Sequence, residues 1–197
     1  MALEKPYAGR GGEKLKHVIS HLGLDLTGAV AADFGCSVGG FTDCLLQEGA
    51  VRVYAVDTGY GMLAWKLRQD PRVVVMERTN AMHVQLPELV DIVTADVAWT
   101  AQRRILPNAL GQLKPDGVIL SLFKPQYEAP PRLVRRGRVR AEAFEPVLER
   151  TVSDLSAGGV VVREVVRLPH DRRGKNPEAF LYIRRSECRP TPEFPAT

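Results

Sequence analysis

The sequence predicts an α/β fold: a mostly parallel, seven-stranded sheet with helices on both faces and an antiparallel last strand. Three observations predict it. Short apolar runs alternate with amphipathic segments of helical length. The first run, AVAADF, carries an acid, Asp33, next to its end and passes through a glycine-rich turn into a helix-like segment. The next run, VRVYAV, is followed at once by another acid, Asp57. Right-handed crossovers place such strand ends on one edge, where ligands bind.

Each element has its own signal. An amphipathic segment over 12–22 opens the chain. Strand 29–34 leads through the glycine turn to a helix over 39–48, with Gly49 where a helix C-cap belongs. Strand 51–56 precedes a helix over 61–69, which Pro71 stops. Strands 73–77 and 91–96 follow, then a helix over 101–112. Lys114-Pro115-Asp116-Gly117 is a turn signal before strand 117–123. A helix over 141–157 leads to strands 160–167 and 179–184, which a loop joins and which can pair antiparallel. One domain is expected over 1–189, with a frayed, proline-rich tail over 190–197.

Composition narrows the class. Hydrophobic residues make up 45% and charged residues 25%, which suits a packed core and not a disordered chain. No apolar run approaches the ~20 residues of a membrane span. The opening residues lack the apolar core of a secretory signal. Cys36, Cys44 and Cys188 form no CxxC pair, so they read as reduced thiols of a cytoplasmic protein. His17 and His21 lie one helical turn apart with no evident partner acid, so they read as exposed helix residues and no metal site is expected. The net charge is +4, but arginines cluster in PPRLVRRGRVR and again in VRLPHDRRGK. Two basic loops suit a phosphate backbone, and equally a solvated face.

The turn Asp33-Phe34-Gly35-Cys36-Ser37-Val38-Gly39-Gly40-Phe41 spells D-x-G-x-x-x-G-G. That spacing fails the dinucleotide fingerprint G-x-G-x-x-G. Asp57 stands where ribose hydroxyls need an acceptor. Together these favour S-adenosylmethionine over a nicotinamide dinucleotide, because a sulfonium cofactor needs no pyrophosphate cradle. Four further polar residues map to the same edge. Asp96 ends the fourth strand, Lys124 follows the fifth, Glu178 precedes the last, and Lys14 lies on the opening helix.

These residues sit in motifs that place the chain in a family. RGGEKL, the long stretch from DFGCSVGGF to ERTN, FKPQYE and EAFLYI closely resemble the methyltransferase domain of TlyA-type (haemolysin A) proteins, within the FtsJ-like ribose 2′-O-methyltransferases. The resemblance runs from about residue 9 to 184. It implies a Rossmann-like S-adenosylmethionine-dependent methyltransferase fold. It implies a catalytic tetrad of Lys14, Asp96, Lys124 and Glu178. It implies that Asp33, Gly35, Cys36, Ser37, Gly39, Gly40 and Phe41 line the methionine end of the cofactor, with Asp57 and Thr58 at the ribose, Asn80 by the adenine and Asp96 nearby. The substrate it implies is RNA, most naturally ribosomal RNA. A ribose 2′-hydroxyl is a poor nucleophile and must shed its proton as the methyl moves. A lysine among acids is ordinarily charged; a second cation and exclusion of water favour the neutral form that accepts a proton. Lys124 is the expected base, oriented by Asp96 and Glu178, with Lys14 polarising the hydroxyl.

The chain also departs from the family. Members usually carry an S4-like RNA-binding domain ahead of the methyltransferase, whereas this sequence begins shortly before RGGEKL. RNA is then expected to rest on Arg10, Arg132, Arg135, Arg136, Arg138, Arg172 and Arg173, or on a separate RNA-binding partner. The family's DVSFIS is DVAWTA here, which introduces Trp99, an aromatic able to stack on a base or to serve as core or lid. The family's GNVEFL is GKNPEAFL here, keeping Asn176 and Glu178 around Pro177. Two other readings stand beside the RNA methyltransferase. One is a methyltransferase of a non-RNA acceptor; the other is a non-catalytic RNA- or membrane-associated binding protein, for which a tetrad would be superfluous.

Overall fold

The computed structural model describes residues 6–169 and 175–184. Seven strands form one sheet: β1 (Val30–Phe34), β2 (Arg52–Val56), β3 (Val73–Met76), β4 (Val90–Ala95), β5 (Leu113–Phe123), β8 (Val162–Arg167) and β9 (Ala179–Arg184). Two more strands, β6 (Val134–Arg135) and β7 (Arg138–Val139), form a separate hairpin. The sheet order is β3-β2-β1-β4-β5-β9-β8, and β9 runs antiparallel to both its neighbours. This order realises the Rossmann-like architecture expected, with the chain reversing direction across the sheet between β1 and β4.

Alternation along the strands splits the core in two. Phe34, Ile119, Phe123 and Leu181 pack on one face beneath α4 (Gln102–Gly111) and α6 (Phe144–Ala157). Ala31, Leu120, Leu122 and Phe180 pack on the other, against Leu15, Ile19 and Leu45 of α1 (Gly11–Leu22) and α2 (Gly40–Gln47). Phe41 and Phe180 meet with ring centres 5.7 Å apart, as do Phe123 and Phe144. Near-continuous burial of the central strands follows from helices lying on both faces.

Three local expectations change. The third helix shrinks from 61–69 to α3 (Trp65–Arg68). Its leading residues form a loop instead, because the Ala64 amide donates to the Val38 carbonyl (3.1 Å) and the Gly61 amide to Glu77 (2.8 Å). The turn Lys114–Gly117 lies inside β5. Leu113 pairs with Val90 and Val118 with Ile92, so four residues bulge opposite the single Asp91. Lys114 closes the bulge with bonds of 2.9 Å to both oxygens of Asp91. The helix expected over 141–157 begins as a 3-10 turn at 141–143 and becomes α6 at Phe144.

Candidate active site

The parallel strands deliver their C-terminal ends to one edge. Phe34 is level with Ala95, and Ala95 with Ser121. Asp96 therefore leaves β4 beside the turn after β1. The antiparallel β9 brings its N-terminal end to that same edge: Ala179 pairs with Phe123, so Glu178 and Lys124 emerge side by side. A ladder of backbone bonds thus sets their spacing.

Gly35 makes the convergence possible. Its φ is 86°, and a Cβ there would meet the Asp96 carbonyl oxygen at 2.5 Å. Gly39 (φ 95°) gives similar room to Leu67, which a Cβ would meet at 2.3 Å. Between these glycines the turn wraps a cavity of about 690 Å³, lined by Cys36, Ser37, Gly40 and Phe41 on one side and by Gly11, Lys14, Asp96 and Glu178 on the other. That volume suits a cofactor-sized molecule. The α2 N-terminus opens on it and supplies amides without intrahelical partners. Asp57 lies outside the lining but braces it: one oxygen accepts from the amide of Ser37, a lining residue (2.8 Å), the other from the Gly59 amide (2.7 Å). A polar rim, a glycine cradle and a charged far wall fit S-adenosylmethionine.

Two lysine–carboxylate pairs meet at this wall: Lys14 and Glu178 both line the cavity, and Asp96, which also lines it, pairs with Lys124 outside the lining. The Lys124 side chain is 16% exposed and that of Lys14 37%, so Lys124 is the better shielded cation. Tyr127 lies on the short helix α5 (Pro125–Glu128), and its ring centre is 5.9 Å from Lys124 Nζ.

Asp33 takes a different place from the one expected. Its carboxylate is wholly buried beneath the turn and does not line the cavity. It accepts from the Thr42 amide (2.9 Å), the Thr42 hydroxyl (2.7 Å) and the Thr94 hydroxyl (3.2 Å). Burial pushes its carboxyl up to about 7, against the lowering effect of those bonds. A carboxyl raised on folding favours the folded state fully below its unfolded value, near 3.8, and loses that contribution as pH rises through about 7. Asp33→Asn is therefore expected to gain on the wild type as pH rises: the melting-temperature difference, variant minus wild type, should grow by roughly 7–15 °C between pH 4 and pH 8. A difference that stays flat across that range would show that Asp33 folds in already ionised.

The other expected residues divide. Thr58 and Asn80 lie outside the cavity wall, on the loops after β2 and β3. These loops are stitched together: the Thr79 amide donates to the Asp57 carbonyl (2.9 Å) and the Arg78 amide to that of Gly59 (3.1 Å). Burial raises the Cys36 thiol far above its ordinary range and pushes Cys44 up to about 12, so neither is a ready thiolate. His17 lines the cavity, and His21 does have a partner acid, Glu164 at 2.7 Å. Among the described residues no cluster of metal-ligating side chains occurs.

Arg10 lines the cavity mouth. Arg135, Arg136 and Arg138 line an open recess on the β6–β7 hairpin, which sequence reading missed. Arg136 and Gly137 take φ of 52° and 73°, as a two-residue type I′ turn requires; Arg-Gly is not a usual signal for it. Asn176 holds the hairpin. Its Oδ1 accepts from the Val139 amide (2.9 Å), and its Nδ2 donates to the Gly137 carbonyl (2.9 Å) and to Gln126 Oε1 (2.8 Å). Exposed Arg52, Arg72 and Arg167 each have an acidic partner. Among the described residues Arg132, Arg135, Arg136 and Arg138 have none. Arg172, Arg173, Cys188 and the tail lie outside the described residues.

A model of the FtsJ-like methyltransferases matches residues 7–185. The chain belongs to that family. Its Rossmann-like fold is that of S-adenosylmethionine-dependent methyltransferases, and S-adenosylmethionine is its cofactor. It is 37% identical over 191 residues to the 16S/23S rRNA (cytidine-2′-O)-methyltransferase TlyA of Mycobacterium tuberculosis, covering 92% of this chain and 69% of that one. It is 39% identical over 183 residues to YqxC of Bacillus subtilis, described as an rRNA methyltransferase, covering 90% and 65%. A Streptococcus thermophilus structure described as a hemolysin superposes with a TM-score of 0.87 at 33% identity, covering 95% of this chain and 70% of that one. This FtsJ-like chain thus spans about two thirds of the length of the curated relatives it matches. No helix among its described residues is long and apolar enough to cross a membrane.

Proposed function

We propose that this FtsJ-like protein methylates the 2′-hydroxyl of a ribose in ribosomal RNA. The observation that carries the reading is the convergence of two lysine–carboxylate pairs, Lys14–Glu178 and Lys124–Asp96, on the cavity beside the glycine turn. Relatives named as rRNA 2′-O-methyltransferases support the substrate class.

Lys124 Nζ takes the proton that the ribose hydroxyl sheds. An ammonium has no lone pair, so Lys124 enters the step as the neutral amine. Asp96 holds Lys124 in place, and Glu178 holds Lys14. Lys14 donates to the hydroxyl oxygen and steadies its developing charge. When bound, S-adenosylmethionine supplies an electrophilic methyl group on a sulfonium. Ser37, Asp57 and the α2 N-terminus hold that cofactor against the glycine cradle, and the remaining gain is positional.

Arg135, Arg136 and Arg138 grip the RNA backbone. Replacing Arg135 and Arg136 together by alanine should raise the KM for RNA and flatten the plot of log affinity against log salt by roughly 0.7 per lost phosphate contact. Filter binding across a salt series checks this; superimposable plots for the two proteins would remove the hairpin from the RNA site.

The direct test is transfer of tritium from labelled S-adenosylmethionine to intact ribosomal subunits, naked ribosomal RNA and a small-molecule extract. Label at a ribose establishes the reading. Label confined to the extract means the tetrad serves a different acceptor.

A further inference from the structure

Lys124 and Asp96 stand on separate segments, and two sets of bonds hold those segments together. The first is the sheet ladder, in which Ala95 pairs with Ser121. The second lies beyond the strand ends. Gln102, six residues past Asp96, opens α4, and its amide is one of the donors that a helix N-terminus leaves without an intrahelical partner. Ala101, the N-cap, makes no side-chain capping bond. Glu128, four residues past Lys124 on α5, supplies the acceptor: its Oε1 accepts from the Gln102 amide at 2.7 Å. The buried Gln102 side chain reaches back to β5, where its Nε2 donates to the Leu122 carbonyl (3.1 Å) and its Oε1 accepts from the Ser121 hydroxyl (2.6 Å). One glutamine is thus tied both to the strand that leads into Lys124 and to the helix that follows it. Beside Glu128, the Tyr127 amide donates to the Lys124 carbonyl (3.0 Å) and closes that helical turn on the lysine.

We infer that Glu128 is a positioning residue: by holding the start of α4 against α5 it fixes Lys124 relative to Asp96 for the proton transfer. The inference rests on the proposed function, in which Lys124 is the base, and adds a residue that does not line the cavity. An acid is a costly choice for this place. Burial pushes the Glu128 carboxyl up to about 7, against the lowering pull of the Gln102 amide and of Arg103, and Asp154 on α6 pushes the same way as burial. Accepting the Gln102 amide needs only a lone pair, which the charged and the neutral carboxyl both carry. Glutamine at 128 keeps that acceptor. Leucine fills much the same space and has none. The bond matters to the rate because a misplacement of about 1 Å, even one that starts away from the chemistry, can cost ~100-fold.

The experiment is single-turnover methyl transfer at saturating S-adenosylmethionine, using the acceptor that the tritium assay labels, beside calorimetric cofactor titration and thermal melting. Glu128→Ala should lower the rate by about 100-fold with cofactor Kd and binding stoichiometry unchanged. Glu128→Leu should be as slow, because it restores volume and no acceptor. Glu128→Gln should recover most of the rate. Lys114→Ala is the stability control: it removes the ion pair to Asp91 at the far end of the same strand, and should lower the Tm without slowing transfer. Wild-type rate in Glu128→Ala, or recovery by leucine as complete as by glutamine, overturns the brace and leaves Lys124 as the base. So does a rate loss that Lys114→Ala matches at equal loss of Tm. If Glu128→Ala does not fold, the comparison of leucine with glutamine decides in the same way. Near wild-type turnover in Lys124→Ala is a different failure: it removes the function reading, and Glu128 then has no base to position.

Discussion

Lys124→Ala is expected to lower methyl transfer by about 10²- to 10⁴-fold, the usual contribution of a positioned general base. Cofactor affinity should change little, because Lys124 does not line the cavity wall that the glycine turn and Ser37 complete. The informative companion is Lys124→Arg. Arginine keeps the positive charge beside Asp96 but does not deprotonate in proteins. If Lys124 acts only by fixing Asp96, arginine should restore much of the rate. If it is the base, arginine should be nearly as inactive as alanine. Single-turnover transfer with saturating cofactor separates these outcomes. Calorimetric titration of each variant with S-adenosylmethionine shows whether the site itself is intact. Near wild-type turnover in Lys124→Ala would sink the tetrad assignment.

Asp57→Ala should have the opposite signature, weakening cofactor binding and sparing the chemical step. Asp57 makes two charge-assisted bonds, one to the Ser37 amide in the turn and one to the Gly59 amide in the next loop. Its loss frees both loops and removes the acceptor we propose for the ribose. A bond to a charged group is worth about 1.5–3 kcal/mol, so the Kd for S-adenosylmethionine should rise roughly 10- to 100-fold. Rate at saturating cofactor should stay within a few-fold of wild type. A variant that binds normally but turns over slowly would move Asp57 from the cofactor to the reaction.

These two residues also show what kinds of feature could be read from sequence. Both follow an apolar run that ends on the sheet's C-terminal edge, and strand periodicity is a local property of the chain. The reversal at β9 was legible for the same reason, since only a loop separates the last two strands. Other positions depended on packing that leaves no local trace. Asp33 looks in sequence like a second acid at a strand end, yet it lies inside β1, beneath the turn, where Thr42 and Thr94 close on it from α2 and β4. The helix expected over 61–69 from its apolar spacing is shorter because the Ala64 and Gly61 amides are claimed by other segments.

Local sequence is enough for the α/β class, the glycine turn, and the edge on which Asp96, Lys124 and Glu178 appear. Those follow from backbone rules that act within a few residues: alternation, glycine's access to positive φ, and the direction of each strand. Long-range packing brings Lys14 to Glu178 and Lys124 to Asp96, sets Asn176 against an arginine hairpin, and leans Trp99 on Tyr127. Each joins residues far apart in the chain or on separate loops. Their meeting is set by sheet register and by side-chain packing, which no single segment encodes.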